Sequence, residues 1–175
     1  MRTIIDIHSF TARVFYIWDK TWLLLTCGNY KSGEYNSMTV AWGGFGNMWN
    51  FPLALIVVRP TRYTYEFINK YESFTLCAFP ERFRNELNFL GTVSGRDRKK
   101  ITESKLTPAP SSLVPSPGFE EADLWIECEK MYWQDFNPEH FLMPEVESRY
   151  PDKDYHRMVF GKIIRVMGDK KKYAS

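Results

Sequence analysis

Residues 121–134 read EADLWIECEKMYWQ, and this stretch decides the class of fold. Ala122, Leu124, Ile126 and Cys128 alternate with acidic residues, and Trp125 interrupts the polar set. A period of two predicts a β-strand with one buried face and one face in water.

Five other stretches favour strands, because they are rich in apolar, β-branched or aromatic residues and end at turn residues: 22–27, 35–42, 53–58, 73–79 and 157–167. Short helices are predicted at 64–71, 80–90 and 98–104. The second begins with Pro80 and is expected to stop at Gly91. Strands and helices do not alternate as in a doubly wound sheet. We therefore expect a mainly β (α+β) fold, an antiparallel barrel with two or three short flanking helices.

The proline-rich stretch Thr107–Gly118 holds four of the ten prolines and three serines. We interpret it as a loop that crosses the barrel, because the strand after it would have no partners without the earlier strands. The 175 residues are predicted to form a single domain, residues 1–175.

Composition excludes several classes of function. The net charge of +2 gives no field that would attract nucleic acid. Cys27, Cys77 and Cys128 form no CxxC pair, so we expect buried reduced thiols and a cytoplasmic protein. The three histidines lack metal-ligand spacing, which predicts no metal site. Neither a signal core nor a membrane-spanning run is present, so no membrane partner is expected.

Two basic stretches could bind an anion. In VRPTRYT, residues 58–64, a strand ends, Arg59 and Arg62 follow, and a helix begins near Thr64. In GTVSGRDRKK, residues 91–100, glycines and hydroxyls precede four basic side chains. A capped helix with solvated arginines explains the first stretch equally well, and a solvated charged loop is the simpler interpretation of the second stretch taken alone. Together the two stretches favour a phosphorylated ligand.

Two further stretches combine polar side chains with glycine. Residues 36–43, NSMTVAWG, run from a strand into glycines that would let a planar ligand approach, although a plain glycine hairpin is the simpler interpretation of this stretch taken alone. Residues 154–163, DYHRMVFGKI, place His156 at the start of a strand, where a structural role is the simpler interpretation. No Ser–His–Asp or Cys–His order appears, which argues against covalent hydrolysis.

These stretches occur in an order that resembles the flavin reductase-like family, in particular its flavoredoxin-like branch. The resemblance rests on residues 22–26, 36–43, 58–64, 94–100 and 154–161, and it covers roughly residues 20–165. Three residues depart from the family's pattern. Ala41 stands where Ser is common, Cys27 where a small residue such as Ala is common, and Lys99 where an acidic residue is common.

The resemblance implies a split β-barrel that binds FMN at the interface of a homodimer. It assigns a flavin ring and ribityl contact to Asn36, Ser37, Met38, Thr39 and Trp42, and a phosphate contact to Arg59, Arg62, Thr64, Ser94 and Lys100. It also implies that His140 reaches the flavin and that His156 lies on the nicotinamide side.

Three functions remain open at this point. The chain could be an NAD(P)H-dependent flavin reductase, a flavoredoxin-type electron-transfer protein that keeps FMN and serves a redox protein partner, or a flavin-binding module without turnover. The resemblance favours the reductase. No GxGxxG fingerprint is present, so a site for NADH or NADPH would have to be shallow and open.

Overall fold

The fold is built on one eight-stranded antiparallel sheet and one two-stranded sheet. A computed structural model describes residues 2–175. Its strands are β1 Thr3–Ile5, β2 Leu23–Asn29, β3 Glu34–Val40, β4 Gly43–Met48, β5 Phe51–Val58, β6 Ser73–Ala78, β7 Pro108–Ala109, β8 Gly118–Phe119, β9 Leu124–Asp135 and β10 Arg157–Gly168.

The main sheet is antiparallel, with the order β3-β2-β6-β9-β10-β5-β4, and β1 pairs with the far end of β10. Its two edge strands, β3 and β4, are joined by Ala41 and Trp42 alone. Two residues bridge at most about 11 Å, whereas the edges of a flat seven-stranded sheet lie about 29 Å apart. The sheet must therefore curl until its edges meet at this end. The result is an open, split barrel, which confirms the predicted fold class.

Strands β9 and β10 form the longest ladder of the barrel, and it contains two irregularities. One lies between Phe160 and Gly161, where a Cβ on Gly161 would come within 2.3 Å of the Phe74 ring. The glycine in this strand is thus required by the close approach of an aromatic ring.

The predicted wet face of β9 is wrong at Glu127 and correct at Glu129, which is exposed. Trp125 is 4% exposed and Glu127 is fully buried, because the loop between β7 and β8 covers this face. The Glu127 carboxylate accepts hydrogen bonds from the backbone N–H groups of Ser112 (3.2 Å) and Leu113 (2.7 Å). The alternation was correct for the inner face, but on the outer face Glu127 anchors a loop.

Successive residues of the central strands point to opposite faces of the sheet and pack into two separate hydrophobic cores, one inside the barrel and one outside it. Leu23 and Leu25 point into the barrel, whereas Leu24 and Trp125 pack outside it against helix and loop residues such as Leu87. The three cysteines are buried and free, as predicted, and burial raises the pKa of the Cys27 and Cys77 thiols to about 12.

The helices are short and lie around the barrel. They are α1 Val14–Tyr16, α2 Thr64–Lys70, α3 Arg84–Thr92, α4 Lys100–Glu103, α5 Pro144–Glu147 and α6 Lys170–Tyr173, with wider or tighter turns at Ile7–Ser9, Ile17–Thr21, Glu81–Phe83 and Pro138–His140.

Helix α3 packs on β3. The sequence predicted that it would stop at Gly91, but it continues to Thr92. Gly91 lies against Thr39, whose hydroxyl donates to the carbonyl of Leu87 on the same helix. The glycine therefore serves close packing of helix on strand. In the described part of the chain, residues 2–175, no helix is long and apolar enough to cross a membrane.

Candidate functional site

A large pocket of about 390 Å³ opens where β3 and β5 end and β10 begins. The register of β10 on β5 sets Arg157 opposite Val58, so the residues just before β10 meet those just after β5. The walls combine apolar and charged side chains: Met38, Thr39, Val40, Ala41, Trp42, Val57, Arg59, Thr61, Arg62, Asp154 and His156.

A small cavity of about 50 Å³ lies beside this pocket, between the start of α2 and residues 90–95. Lys100 enters it from the first residue of α4 and is only 4% exposed. Its Nζ donates to the carbonyls of Leu90 (2.8 Å) and Val93 (2.9 Å), while Arg62 donates to the carbonyl of Gly91. The carbonyls at the C-terminal end of α3 thus hold both cations.

The positive charge in the small cavity is not neutralised by the protein. Among residues 2–175, neither Arg62 nor Lys100 has a carboxylate oxygen within 4.0 Å. Burial, followed by the positive charge of Arg62, lowers the pKa of Lys100 to about 8. Burial and the nearby Arg59 lower the pKa of Arg62. An anion in this cavity would relieve both effects.

The two cavities are neighbours in space. Met38, Thr61 and Arg62 line both of them. A ligand with a flat apolar part and an attached phosphate could thus place the first in the large pocket and the second in the small cavity.

Buried polar contacts hold the small cavity in shape. The amide of Asn36 donates to the hydroxyl of Thr64 at 2.8 Å, and both side chains are buried. Gly95 approaches so closely that a Cβ there would lie 2.4 Å from Asn36 Oδ1 and 2.9 Å from a ring carbon of Tyr63. The Ser94 hydroxyl accepts from the backbone N–H of Arg96 at 3.2 Å.

The structure brings most of the predicted site residues together. Met38, Thr39, Trp42, Arg59, Arg62 and His156 line the large pocket; Met38, Arg62, Thr64, Ser94 and Lys100 line the small cavity. Arg59 therefore lies in the large pocket and not in the small cavity, and its role as a phosphate ligand stays a prediction.

Three predicted residues lie elsewhere. Asn36 supports Thr64 and lines a third cavity. Ser37 is fully buried, with its hydroxyl 2.8 Å from that of Thr26. His140 is exposed on a short turn, with its Nε2 3.3 Å from the Asn137 amide nitrogen. Ser37 and His140 line neither cavity, so their flavin contacts also stay predictions.

The sequence interpretation missed a network at the edge of the large pocket. Asp154 accepts two hydrogen bonds from Arg59, both at 2.8 Å, and Arg59 lowers the pKa of this carboxyl. Tyr150 lies beneath the Arg59 guanidinium, and its hydroxyl is 2.8 Å from His156 Nδ1. Burial, then the charge of Arg59, lowers the pKa of His156 to about 4, so this ring is neutral at neutral pH. Asp154 was within reach of the sequence, since it opens the DYHRMVFGKI stretch.

A family model described as the flavin reductase-like domain matches residues 20–174. The chain belongs to the flavin reductase-like family. This confirms the resemblance inferred from the ordered stretches of sequence. No curated protein sequence matches the chain.

Solved structures share the split barrel. An FMN-binding domain of a flavin reductase-like enzyme from Shewanella baltica superposes with a TM-score of 0.70 and 14% identity, over 98% of this chain and 78% of that one. Flavoredoxin from Desulfovibrio vulgaris superposes with a TM-score of 0.66 and 19% identity, over 95% of this chain and 77% of that one. For flavoredoxin from Methanosarcina acetivorans the TM-score is 0.67 and the identity 21%, over 95% of this chain and 75% of that one. At these identities the neighbours establish the fold of this family member.

Proposed function

We propose that this flavin reductase-like protein binds FMN, with the isoalloxazine ring in the large pocket and the phosphate in the small cavity, and reduces it with NADH or NADPH. The observation that carries the proposal is the pair Arg62 and Lys100. Two buried or half-buried cations have no carboxylate partner among residues 2–175, and they lie directly beside a pocket of ring size.

The small cavity suits a phosphate group. A phosphate carries close to two negative charges at neutral pH and would offset the charges of Arg62 and Lys100 through charge-assisted hydrogen bonds. Thr64 and Ser94 add hydroxyl groups in the same cavity. A neutral ligand would leave the repulsion between the two cations in place.

The large pocket suits a flat ring with a polar edge. Met38, Val40 and Val57 give it an apolar side, and Trp42 is about half exposed at its rim. Because Tyr150 engages Nδ1 of His156, the neutral imidazole keeps Nε2 for a ligand. Bound FMN would supply hydride and electron chemistry, while these residues orient the ring and set its surroundings.

The nicotinamide co-substrate would enter from the open side of the large pocket. The chain carries no dinucleotide-binding fingerprint, so the site for NADH or NADPH has to be this shallow face. His156 lines this pocket, which supports its predicted place near the nicotinamide.

A second candidate function is electron transfer by tightly bound FMN. The flavoredoxins among the structural neighbours favour it. In this case the open side of the pocket would face a redox protein partner, and no nicotinamide nucleotide would reduce the flavin.

We further propose that the protein is a homodimer with the flavin at the interface. The outer surface of β4, β5, β9 and β10 and the β4–β5 turn is unusually apolar for an exposed surface, and Val57 of β5 also lines the large pocket. A second copy bound there would cover the open side of the pocket. We call this surface the outer aromatic face; its exposed members are Met48, Trp49, Phe51 and Tyr132.

The cytoplasm is the compartment we propose for this protein. All three thiols are free and buried, which fits a reducing environment.

The test of the flavin reductase proposal is an absorbance spectrum of the purified protein, with and without added FMN, followed by anaerobic titration with NADH and with NADPH. We expect a flavin spectrum that one of the two nucleotides bleaches. If no flavin spectrum stays with the protein after FMN is added and unbound FMN is removed by gel filtration, FMN binding is overturned. A bound flavin that dithionite bleaches but neither nucleotide does would decide for the electron-transfer function.

A further inference from the structure

Tyr150 is buried beside the large pocket, and its neighbours hold its ring in place. The residue is 5% exposed and lies between β9 and β10, in a segment closed at its base by a hydrogen bond from the Phe136 N–H to the carbonyl of His156 (3.0 Å). The Phe141 ring stacks on the Tyr150 ring with centroids 5.6 Å apart, and the Arg59 guanidinium carbon lies 5.0 Å from its centroid. Packing on several sides therefore fixes where the Tyr150 hydroxyl points.

The Tyr150 hydroxyl has one acceptor within reach. Its oxygen lies 2.8 Å from His156 Nδ1, and among residues 2–175 it makes no other hydrogen bond. Burial raises the pKa of Tyr150, so the hydroxyl keeps its proton at neutral pH. A buried O–H group that lacks an acceptor is unfavourable. The hydroxyl therefore donates to Nδ1, and that ring nitrogen carries no proton.

The single proton of the neutral His156 ring is then on Nε2. Burial, then the charge of Arg59, lowers the pKa of His156 to about 4, so the ring holds no second proton at neutral pH. Among residues 2–175, Nε2 has no hydrogen-bond partner, and it is not one of the fully buried polar atoms that lack one. Because His156 lines the large pocket, this N–H group faces the volume that a ligand would fill.

We propose that Tyr150 is a positioning residue, which holds His156 in the tautomer with its proton on Nε2, so that His156 donates a hydrogen bond to a carbonyl oxygen of the ring bound in the large pocket. The donor role rests on the proposed function, because it needs a ring in this pocket. The tautomer does not, because it is a property of the free protein.

The opposite tautomer would give the site the opposite preference. With the proton on Nδ1, Nε2 could only accept a hydrogen bond and would favour an N–H group of the ligand. The Tyr150 hydroxyl would then have to accept from Nδ1, and its own hydrogen would be buried without an acceptor. The charge of Arg59 also opposes this arrangement, because a nearby cation makes an O–H group more acidic and thus a better donor.

NMR of the flavin-free protein with ¹⁵N-labelled histidine measures the tautomer at neutral pH, because ring nitrogens with and without a proton resonate far apart. His156→Gln identifies the His156 signals by their loss. We expect Nε2 alone to carry a proton in the parent chain. In Tyr150→Phe, which keeps the ring, the two nitrogen signals should move toward each other as both tautomers become populated. A proton on Nδ1 in the parent chain would overturn the proposal, and so would an unchanged spectrum in Tyr150→Phe.

Tyr155→Phe is the matched control. The Tyr155 ring belongs to the same aromatic group, with its centroid 5.1 Å from that of Tyr150, but the hydroxyl that meets His156 is that of Tyr150. Tyr155 also lines neither the large pocket nor the small cavity. Its variant should leave the His156 signals unchanged. Cooperative thermal melting of both Phe variants would show that each of them folds.

Addition of flavin to the labelled protein tests the donor role. The Nε2–H signal should move downfield and exchange more slowly with water when FMN binds, and equally when riboflavin binds, because the contact is to the ring. A signal that moves only when NAD⁺ or NADP⁺ joins the FMN complex would assign the carbonyl to the nicotinamide.

The remaining outcomes separate this inference from the proposed function. Bound flavin and bound nucleotide that both leave the Nε2–H signal unchanged would overturn the donor role and leave flavin binding intact. Failure of FMN and riboflavin to bind would overturn the proposed function and the donor role together. The tautomer in the free protein decides the role of Tyr150 in either case.

Discussion

At the scale of single residues, Lys100 carries the most information about the ligand. Its amine is nearly inaccessible to water, and its hydrogen bonds go to two backbone carbonyls rather than to a carboxylate. An ammonium group in such a place costs desolvation free energy unless an anion compensates it. The burial therefore indicates a binding role more strongly than the basic sequence around it does.

The pKa of Lys100 predicts how FMN affinity depends on pH. The phosphate binds the charged amine, and the free protein loses that proton as the pH rises through about 8. FMN affinity should be level just below this pH and should fall above it, by up to about tenfold per pH unit. Fluorescence titrations between about pH 7 and about pH 9.5 would measure this.

Two comparisons isolate the effect of the Lys100 amine. Riboflavin, which has no phosphate, should show no loss of affinity over this range. Lys100→Met should bind FMN more weakly, with an affinity that no longer falls above pH 8. An unchanged fall in Lys100→Met would assign the titration to another group.

At the scale of elements, strand β9 and the crossing loop depend on one another. The strand supplies the buried carboxylate of Glu127, and the loop supplies the N–H groups that satisfy it. Further contacts tie the same loop to the barrel: Ser116 bonds to Ser73 and Gly28, and Thr75 donates to the carbonyl of Pro117. A proline-rich segment thus acts as a wall of the outer core.

Removal of the Glu127 carboxylate should destabilise this wall. We expect Glu127→Ala to lower the free energy of unfolding by about 2–4 kcal/mol, because two N–H donors lose their acceptor and a cavity is left. Urea denaturation would measure it. Glu129→Ala, two residues along the strand and exposed, should cost less than about 0.5 kcal/mol. Similar costs for both variants would show that the carboxylate does not hold the loop.

At the scale of the whole molecule, the curled sheet explains both the site and the outer aromatic face. The two-residue link between the edge strands places Trp42 at the mouth of the large pocket. The β4–β5 turn, β9 and β10 carry an aromatic cluster, in which the ring centroid of Trp49 lies 6.0 Å from those of both Tyr132 and Phe160. An exposed cluster of this kind typically marks an interface.

The dimer proposal predicts a specific effect of one charge on that face. Wild-type protein should have the mass of two chains by light scattering at micromolar concentration, and Trp49→Glu should have the mass of one. Burying a carboxylate in an apolar interface is unfavourable. FMN affinity should fall in the same variant, since the pocket loses its cover.

Phe15→Glu is the control for this experiment. Phe15 is 90% exposed on α1 and lies outside the outer aromatic face, so its variant should remain dimeric. A monomeric wild-type protein, or a dimer that tolerates Trp49→Glu, would contradict the proposed interface.

Much of the barrel could be predicted from local sequence. The six predicted strands all exist, with ends shifted by a few residues, because their apolar content and turn residues act locally. Strand β4 was missed, since its glycines at 43, 44 and 46 are typical of a turn, and only pairing with β5 makes this segment a strand.

The candidate site was predictable as a set of stretches but not as an arrangement. The sequence indicated that Arg62 and Lys100 belong to basic stretches near helix starts. Only the fold shows that these two residues share the small cavity, whereas Arg59 forms an ion pair with Asp154. Likewise, nothing local to Tyr150 indicates that its hydroxyl meets His156.

The sequence by itself therefore determined the antiparallel β class, the buried thiols and the family, because alternation, turn residues and ordered motifs are local properties of the chain. The tertiary structure alone decided that the first part of β9, Leu124 to Cys128, is buried on both faces, since the residues covering Glu127 come from a loop more than ten positions earlier. It also decided that two distant basic stretches share one cavity. Burial and the meeting of charges depend on how the sheet curls, and no single stretch of sequence encodes that.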